Sequence, residues 1–314
     1  MVKELAQAVL NGNERGIARA ITVVENESEQ TAALIGELFP HTGNSMVIGL
    51  TGPPGAGKST LTDRIVSAMV NRNLKVGVIA IDPTSPFSGG AILGDRIRMR
   101  SLAGLPGVFV RSMATRGALG GLNQSCIDVV DILDASGMDV VIIETVGVGQ
   151  DEVDIIRVSD LNLVVLIPGM GDDIQAMKAG LMEIADVFVV NKADQQGVGR
   201  LKSQLEYLNM LSGLEIPILE TIATSGEGTG ALLDTILSYR SGGTRREGLA
   251  GQRSRRADFR LQRVLQARFL ASVLSRVGEE AFQQLTRQVA TRELDPYHAA
   301  DRLMTLWMEQ ANGH

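Results

Sequence analysis

A glycine-rich segment, GPPGAGKST at 52–60, has the most specific chemistry in the chain. It follows the apolar run MVIGLTG and opens a helical pattern, which is the context that a P-loop requires. In such a loop, backbone N–H groups surround the β-phosphate of a nucleotide. The lysine neutralises β and γ oxygens, and the hydroxyl that follows it ligates Mg²⁺. The sequence therefore predicts a nucleoside triphosphate site with Lys58 and Ser59 in these two functions.

A second motif, NKAD at 191–194, follows the apolar run DVFVV. In a P-loop protein this position faces the base, where the Asp194 carboxylate can accept hydrogen bonds from guanine N1–H and the 2-amino group. Adenine presents an acceptor there, and an unpaired charge costs more than the ~1–3 kcal/mol of an unpaired neutral group. The motif therefore predicts selection of GTP over ATP. Asn191 is expected to brace the loop and contact the purine, and Lys192 to lie along the base.

The segment ATSGEG at 223–228 follows the last apolar run, IPILETIA. Alone it is a Ser/Gly turn, but after the two motifs above it is predicted to present backbone N–H groups to the guanine oxygen. The residues concerned are Thr224, Ser225 and Gly226.

Three acids at or after the ends of predicted strands are candidates for binding the metal ion or positioning the attacking water. Asp82 ends the run KVGVIAID, at the sheet edge where ligands of open α/β sheets bind, and can hold a magnesium-bound or attacking water. Asp95 lies in the following loop-to-helix stretch, where an ordinary helix-start acid is an equally good explanation. Glu144 in ETVGVGQ can reach the metal through a water or orient the nucleophile. The predicted metal site is Ser59, Asp82, Asp95 and Glu144, and the predicted catalytic residues are Lys58, Asp82 and Glu144.

Three segments have the composition of nucleotide-dependent switches. The span 83–90 is rich in Pro, Ser and Gly, which suits a loop ordered by the γ-phosphate. Gly147 and Gly149 allow the loop after Glu144 to approach that phosphate. The third, 168–180, contains Asp172, Asp173 and Lys178, which an acidic helix start explains almost as well. Arg116 is the internal candidate for an arginine finger, although a loop arginine is usually solvated.

Seven continuous apolar runs separated by helical stretches indicate strands buried on both faces of a mostly parallel sheet. The predicted fold is therefore α/β, a three-layer P-loop NTPase domain over 45–240. Helical spacing predicts an N-terminal extension over 1–44 and a C-terminal helical segment over 257–314. The Gly- and Arg-rich stretch 241–256 is predicted to be a linker.

The composition narrows the function further. A net charge of -6 and a pI near 5.3 argue against nucleic-acid binding. No run of about 18 apolar residues occurs, and charged residues are spread through the first 20 positions. We therefore expect neither a membrane span nor a secretory signal. The expected location is the cytoplasm. The single cysteine, Cys126, is interpreted as a core residue.

The motifs together resemble those of the methylmalonyl-CoA mutase-associated GTPases, the MeaB/ArgK group. The matching stretches cover nearly the whole chain: GLTGPPGAGKST, DPTSPFSGGAILGDRIRM, LGG, ETVGVGQDE, GDDIQAMKAGLMEIAD and NKAD. The resemblance implies a GTPase that forms homodimers through its helical extensions. It also implies that the protein serves adenosylcobalamin-dependent acyl-CoA mutases. Its task would be to gate cofactor transfer into the mutase and to limit or reverse its inactivation, with GTP hydrolysis as the timer and the mutase as activator. Adenosylcobalamin enters only through that partner.

The resemblance also implies residue functions. It implies phosphate contacts at Gly55, Ala56, Gly57, Lys58, Ser59 and Thr60, base contacts at Asn191, Lys192 and Asp194, and a partner-sensing switch at about 170–180. This chain departs from the family pattern at Asp151 and in the run AMKAG, which puts coupling to the partner in question and leaves nucleotide binding intact.

Two other functions have to be weighed. A metal-insertion chaperone of the nickel-enzyme type shares the P-loop, but it needs a Cys/His relay, and the chain offers one cysteine with His41, His298 and His314. A P-loop kinase would transfer phosphate to an acceptor and show weak guanine preference, against NKAD.

Overall fold

The computed structural model describes residues 1–26, 28–82, 102, 104–114, 124–145, 157–169, 184–240 and 249–312. The chain divides into two compact units, Met1–Gln252 and Arg253–His314. The P-loop, NKAD and ATSGEG motifs all lie in the first unit.

The first unit contains a seven-stranded parallel sheet, as the apolar runs predict. Its strands are β1 Met46–Thr51, β2 Val76–Asp82, β3 Val108–Ala114, β4 Val140–Glu144, β5 Leu161–Leu166, β6 Val187–Asn191 and β7 Ile218–Thr221. The strand order is β3-β2-β4-β1-β5-β6-β7, and all neighbouring strands run parallel. The carboxyl ends of the strands therefore share one edge, and ligands of such sheets bind at this edge.

Ten α-helices lie in the described residues. They are α1 Val2–Leu10, α2 Glu14–Glu25, α3 Thr31–Leu38, α4 Lys58–Val70, α5 Gln124–Ala135, α6 Val198–Ser212, α7 Thr229–Arg240, α8 Leu249–Val277, α9 Glu279–Ala290 and α10 Pro296–Asn312. Two ends show how the sequence sets them: the Asn13 side chain caps the start of α2, and Gly213 ends α6 in the left-handed conformation.

Alternate residues of the central strands face opposite helical layers. Leu163 and Val165 of β5 belong to the core cluster that includes residues of α4 and α7. Val164 and Leu166 belong to a second cluster with residues of α6. Side chains of a strand alternate between faces, so an uninterrupted apolar run fits a sheet covered on both sides. This arrangement confirms the three-layer α/β fold.

The N-terminal helices pack on α5 within the first unit. The hydroxyl of Ser125 at the start of α5 donates to the carbonyl of Val24, 3.1 Å away. At its other end, the Asp134 carboxylate accepts the backbone N–H groups of Gly43 (2.5 Å) and Ser45 (2.9 Å). The carboxylate fixes the chain just before β1, so the helical extension is tied to the unit that contains the P-loop.

The C-terminal unit contains the only tryptophan of the sequence. Trp307 on α10 donates its indole N–H to Ser272 on α8 (3.1 Å) and packs edge-on against Phe269, with ring centroids 5.2 Å apart. α8 begins at Leu249, inside the stretch 241–256 that was predicted to be a linker. That stretch has no proline, and its Arg, Gln, Leu and Ala residues are good helix formers that tolerate single glycines. No helix in the described part of the chain has the length and apolar character to cross a membrane.

Candidate nucleotide-binding site

The P-loop leaves β1 through glycines whose conformations exclude a side chain. Gly52 has φ +143°, and a Cβ there would lie 2.1 Å from the carbonyl oxygen of Val165. Gly57 has φ +87°, and its Cβ would lie 2.5 Å from Nδ2 of Asn191. Both positions combine a left-handed conformation with close contact, which only glycine accommodates. The loop is thereby held against β5 on one side and against the NKAD motif on the other.

Lys58 is the first residue of α4, directly after the left-handed Gly57. The backbone N–H groups of this first helical turn have no partner within the helix, which makes the turn an anion site. The Lys58 side chain is 7% exposed, and its ammonium donates to the carbonyls of Gly52 (2.6 Å) and Pro53 (3.0 Å). The lysine is therefore folded over the loop that is predicted to hold phosphates.

Glu144 is held by two hydroxyl groups of α4. It is the last residue of β4, pairs in register with Leu50 of β1, and is 6% exposed. Its Oε1 accepts a hydrogen bond from Ser59 Oγ at 2.6 Å, and its Oε2 accepts one from Thr62 Oγ1 at 2.8 Å. The structure thus brings the predicted residues Ser59 and Glu144 together and adds Thr62, which is fully buried.

A cavity of about 370 Å³ opens at this edge of the sheet. Its walls contain the P-loop, the end of β2 and the end of β4; the lining residues are Pro54, Gly55, Gly57, Lys58, Ser59, Thr60, Ala80, Ile81, Glu144 and Thr145. Of the six predicted phosphate contacts, all but the buried Ala56 line it. The cavity therefore places glycine backbone, a lysine, hydroxyl groups and a carboxylate around one space.

The donor atoms in this cavity suit Mg²⁺. The ion takes oxygen ligands, and in nucleotide sites it is held by one or two protein oxygens together with phosphates and water. Ser59 Oγ and Glu144 Oε1 are two such oxygens, 2.6 Å apart on the wall. Asp82 ends β2, two residues after Ala80, the register partner of Glu144. In the described residues, no group of three or more His, Cys, Asp and Glu side chains could hold a metal.

Asn191 connects the base motif to the P-loop. It ends β6, is 2% exposed, and its Nδ2 donates to the carbonyl of Ala56 at 2.8 Å. Its Oδ1 accepts hydrogen bonds from Thr221 Oγ1 and from the backbone N–H of Ala223, both at 3.1 Å. One side-chain amide therefore joins three segments that the sequence predicted to surround a nucleotide.

Lys192 and Asp194 follow in a tight turn. Lys192 has φ +55°, an uncommon conformation for a residue with a side chain, and the N–H of Gln195 closes the turn on its carbonyl at 3.0 Å. The Asp194 side chain is exposed, and no residue in the described ranges forms a hydrogen bond or ion pair with it. Its carboxylate can therefore accept from a ligand.

The ATSGEG loop uses most of its own N–H groups. Those of Ser225 and Gly226 donate to the carbonyl of Ile222, at 3.1 and 2.8 Å. The N–H of Thr224 donates to no acceptor in the part of the chain that the structure describes. Of the three residues predicted to face the guanine oxygen, Thr224 is the one with an available amide.

Sequence reasoning missed two residues, Thr62 and Arg64, both on α4. Thr62 lies three residues after Ser59, and that spacing places both hydroxyls on one helix face, so the pattern could have been noticed. Arg64 donates to the carbonyls of Ala223 and Thr224 in the ATSGEG loop. No sequence signal marks Arg64, since an arginine on a helix surface is usually solvated.

Several predictions concern residues outside the described ranges. The metal candidate Asp95 and the arginine-finger candidate Arg116 are among them. So are the switch residues, which are Gly147, Gly149, Asp151, Asp172, Asp173 and Lys178, together with His314. Of the other two histidines, His298 contacts Asp295 at the start of α10, and His41 lies in a short 3-10 helix, Phe39–His41. Cys126 is buried, as predicted for a core residue.

The chain is similar to proteins that are named as GTPases. A family model described as methylmalonyl Co-A mutase-associated GTPase MeaB matches residues 17–278. A protein of Pyrococcus abyssi named as a GTPase is 45% identical over 311 residues, which are 97% of this chain and 96% of the relative. The GTPase ArgK of Escherichia coli is 43% identical over 195 residues, 61% of this chain and 59% of that protein.

A solved structure described as LAO/AO transport system kinase has a similar fold. It superposes with a TM-score of 0.70 at 25% identity, and the match covers 97% of this chain and 96% of that one. The α/β fold with its seven-stranded parallel sheet therefore has a solved relative.

Proposed function

Because this chain belongs to the MeaB family of methylmalonyl-CoA mutase-associated GTPases, we propose that it is a GTP-hydrolysing chaperone of an adenosylcobalamin-dependent acyl-CoA mutase. Methylmalonyl-CoA mutase is the first candidate client. The chaperone gates cofactor transfer into the mutase in the cytoplasm and limits or reverses its inactivation, with GTP hydrolysis as the timer. Adenosylcobalamin is the cofactor of the client and enters the proposal only through that partner.

The observation that carries the GTPase assignment is the Asn191 amide. It bonds Ala56 of the P-loop, Thr221 at the end of β7 and Ala223 of the ATSGEG loop. A surface NKAD turn would have no reason to bury this side chain and satisfy it from two other loops. The contacts support a single site in which the phosphate and guanine ends are built together.

Each residue at the phosphate end has a separate proposed function. Lys58 supplies positive charge at the β and γ oxygens, and we expect those oxygens to replace its present carbonyl partners in the nucleotide complex. Ser59 is the proposed protein ligand of Mg²⁺, and Asp82, Asp95 and Glu144 are the acids proposed for the same metal site. The ion, when bound, neutralises charge that develops on the phosphates. Glu144, held by two hydroxyls, has the fixed position that orienting a water requires.

We place control of the reaction in the client. A missing charge-stabilising group can lower GTP hydrolysis about 10³- to 10⁵-fold, and an enzyme of this kind turns over slowly alone. The mutase would raise the rate by ordering the segments that follow Glu144 and the proposed partner-sensing segment at about 170–180. The departures at Asp151 and in AMKAG fall in these segments and bear on coupling.

The C-terminal unit supports the proposed homodimer. Leu261, Leu265 and Phe269 recur every four residues on α8, and the first two are 68% and 65% exposed. Exposed apolar rows on a helix mark an interaction surface, and a second copy of this chain is the proposed occupant. Sedimentation of a Leu261→Ser, Leu265→Ser double variant is expected to give a monomer, and an unchanged dimer would remove α8 from the interface.

The proposed function is tested by steady-state hydrolysis of GTP and ATP, each with and without an adenosylcobalamin-dependent mutase from the same genome. We expect turnover of GTP only, slow alone and raised at least about tenfold by the mutase. GTP turnover that no such mutase changes would keep the GTPase and reject this client. Phosphate transfer from ATP to an added acceptor would favour a kinase instead.

A further inference from the structure

The available amide of Thr224 belongs to a peptide unit that another part of the molecule holds. A peptide unit contains the carbonyl of one residue and the N–H of the next, so the Thr224 N–H shares its plane with the Ala223 carbonyl. Arg64 Nε donates to that carbonyl oxygen at 2.9 Å, and Arg64 Nη2 donates to the carbonyl of Thr224 at 2.5 Å. Two consecutive carbonyls of the ATSGEG loop are thus bound by one guanidinium.

We propose that Arg64 is a positioning residue for guanine recognition, which fixes the Ala223–Thr224 peptide so that its N–H faces the guanine O6. The residues that the structure describes contain no cis peptide bond, and in a trans unit the carbonyl and the N–H point in opposite directions. Arg64 holds the carbonyl on one side, so the N–H is directed to the other. The inference rests on the proposed guanine site and adds a residue that neither the NKAD nor the ATSGEG motif contains.

The chemistry of the side chain suits this function. A guanidinium presents several N–H donors in a rigid plane, so it can bind two neighbouring carbonyls at once, whereas an ammonium acts as a point charge. The partners of Arg64 in the described residues are both backbone oxygens rather than carboxylates, which distinguishes it from Arg72, whose partner is the carboxylate of Asp234. The contact is made for geometry rather than for charge neutralisation.

The position of Arg64 gives the contact a second consequence. The residue lies on α4, the helix whose first turn contains Lys58 and Ser59 and whose next turn contains Thr62. Its loop partners are 159 and 160 residues away in sequence. Through Arg64, the helix that begins at the phosphates therefore also sets the far end of the base pocket.

The test compares Arg64→Ala with the wild-type chain for three diphosphates, by displacement of a fluorescent GDP analogue. GDP has O6, 6-thio-GDP replaces it by the weaker acceptor sulfur, and IDP lacks the 2-amino group that Asp194 is proposed to bind. We expect the wild type to bind 6-thio-GDP about tenfold more weakly than GDP. In Arg64→Ala this ratio falls to about twofold, while the ratio of IDP to GDP is unchanged.

Two further variants separate geometry from charge and from helix packing. Arg64→Lys keeps the charge without the fork and is expected to behave like Arg64→Ala. Arg72→Ala removes an arginine near the other end of α4 and is expected to keep both wild-type ratios. The inference is overturned if Arg64→Ala retains the wild-type ratio for 6-thio-GDP, or if both ratios fall together. If the wild-type chain binds 6-thio-GDP as tightly as GDP, the proposed contact to O6 is wrong. The proposed function would then still be tested separately, by GTP hydrolysis and its response to the mutase.

Discussion

The base end and the phosphate end of the site are built differently. At the base end, the buried polar groups bind one another: Asn191 satisfies both ends of its amide within the protein, and Arg64 binds two loop carbonyls. We expect these contacts to stay in place when a nucleotide binds. At the phosphate end, Lys58 and Ser59 are bonded to protein oxygens, yet they are the groups that phosphate and metal require.

From this difference we expect selection and turnover to depend on separate parts of the site. The proposed base end is preorganised, so we expect its residues to determine which nucleotide binds and how tightly. At the proposed phosphate end, Lys58 and Ser59 would have to exchange hydrogen-bond partners, so we expect the residues there to determine the rate of hydrolysis. Variants at the base end should change affinity, and variants at the phosphate end should change kcat.

The largest expected effect is that of Glu144→Gln at the phosphate end. The glutamine side chain has one oxygen, so it cannot accept hydrogen bonds from both hydroxyls of α4 on separate oxygens. It also lacks the negative charge that is proposed to orient the water. Loss of one preorganised electrostatic group lowers kcat by about 10²- to 10³-fold, with KM for GTP within about threefold of wild type. Phosphate release assays measure both constants. Glu220→Gln, which changes an exposed acid paired with Lys202, is the control expected to leave them unchanged.

Asp194→Asn is the corresponding change at the base end. It removes a charged acceptor that is proposed to bind two guanine donors. A hydrogen bond to a charged group contributes about 1.5–3 kcal/mol, so we expect the affinity for GDP to fall about 100-fold. Affinity for ADP should stay as it was. Calorimetric titration of both diphosphates provides the values, with Asp234→Asn as an exposed control. An equal loss for GDP and ADP would mean that Asp194 supports the fold rather than the base.

Thr62 offers a smaller and sharper change at the phosphate end. Its hydroxyl has one proton and lies 2.8 Å from Glu144 Oε2 and 3.1 Å from the Lys58 carbonyl. Thr62→Val keeps the shape and removes the donor, so we expect kcat to fall about tenfold, as for one hydrogen bond to a charged group. Thr62→Ser should restore the rate. Binding of GDP without Mg²⁺, followed by fluorescence, should be unaffected in both variants.

A matched control for Thr62 is Thr235 on α7. Its hydroxyl forms the same hydrogen bond to the carbonyl four residues earlier, Ala231 at 2.9 Å, but this bond is exposed to solvent and no carboxylate in the described residues contacts the hydroxyl. Thr235→Val should leave hydrolysis unchanged. If Thr62→Ser were as slow as Thr62→Val, the hydroxyl would not be the group that matters.

The smallest effect tests the framework behind both ends. Asp139, just before β4, accepts hydrogen bonds from the Lys75 N–H (2.9 Å) and from Arg240 (2.7 Å). Burial works to raise the pKa of Asp139, but these two partners outweigh it and hold the pKa below its usual value. A lowered folded-state pKa gives stability that is complete above the unfolded pKa and is lost as pH falls through the folded pKa.

Asp139→Asn is therefore expected to lower the free energy of unfolding at pH 7 by about 1 kcal/mol or less, because the pair is partly solvent-screened. The difference from wild type should shrink as pH falls below about 4. Denaturant titrations of both proteins at pH 7 and at a pH below about 4 measure this difference in the free energy of unfolding. A difference that grows on acidification would contradict the assigned sign.

The sequence predicted the framework well because its signals are local. The continuous apolar runs at β1, β4 and β5 reflect burial on both faces, and all seven predicted strands are present. The P-loop glycines and Asn191 were identifiable because their motifs combine residue type with strand context. The exclusion of a side chain at Gly52 and Gly57 is the physical reason for those glycines.

The positions that were missed depend on tertiary contacts. Thr62 meets Glu144 across 82 residues and Arg64 meets Ala223 across 159, and no local pattern encodes such pairs. The start of α8 at Leu249 was missed for a different reason, since its glycines and arginines are typical of a linker when propensity is judged by composition alone.

The separation of selection from turnover is tested most directly by the rate at which Asp194→Asn hydrolyses XTP. Xanthine presents an oxygen where guanine has the 2-amino group, so the new amide can donate to it. If the base end only selects, the variant at saturating XTP turns over within about twofold of the wild-type kcat for GTP, since the phosphate end is unchanged. A variant that binds XTP tightly and hydrolyses it many times more slowly would contradict the account, because the base end would then take part in the chemistry.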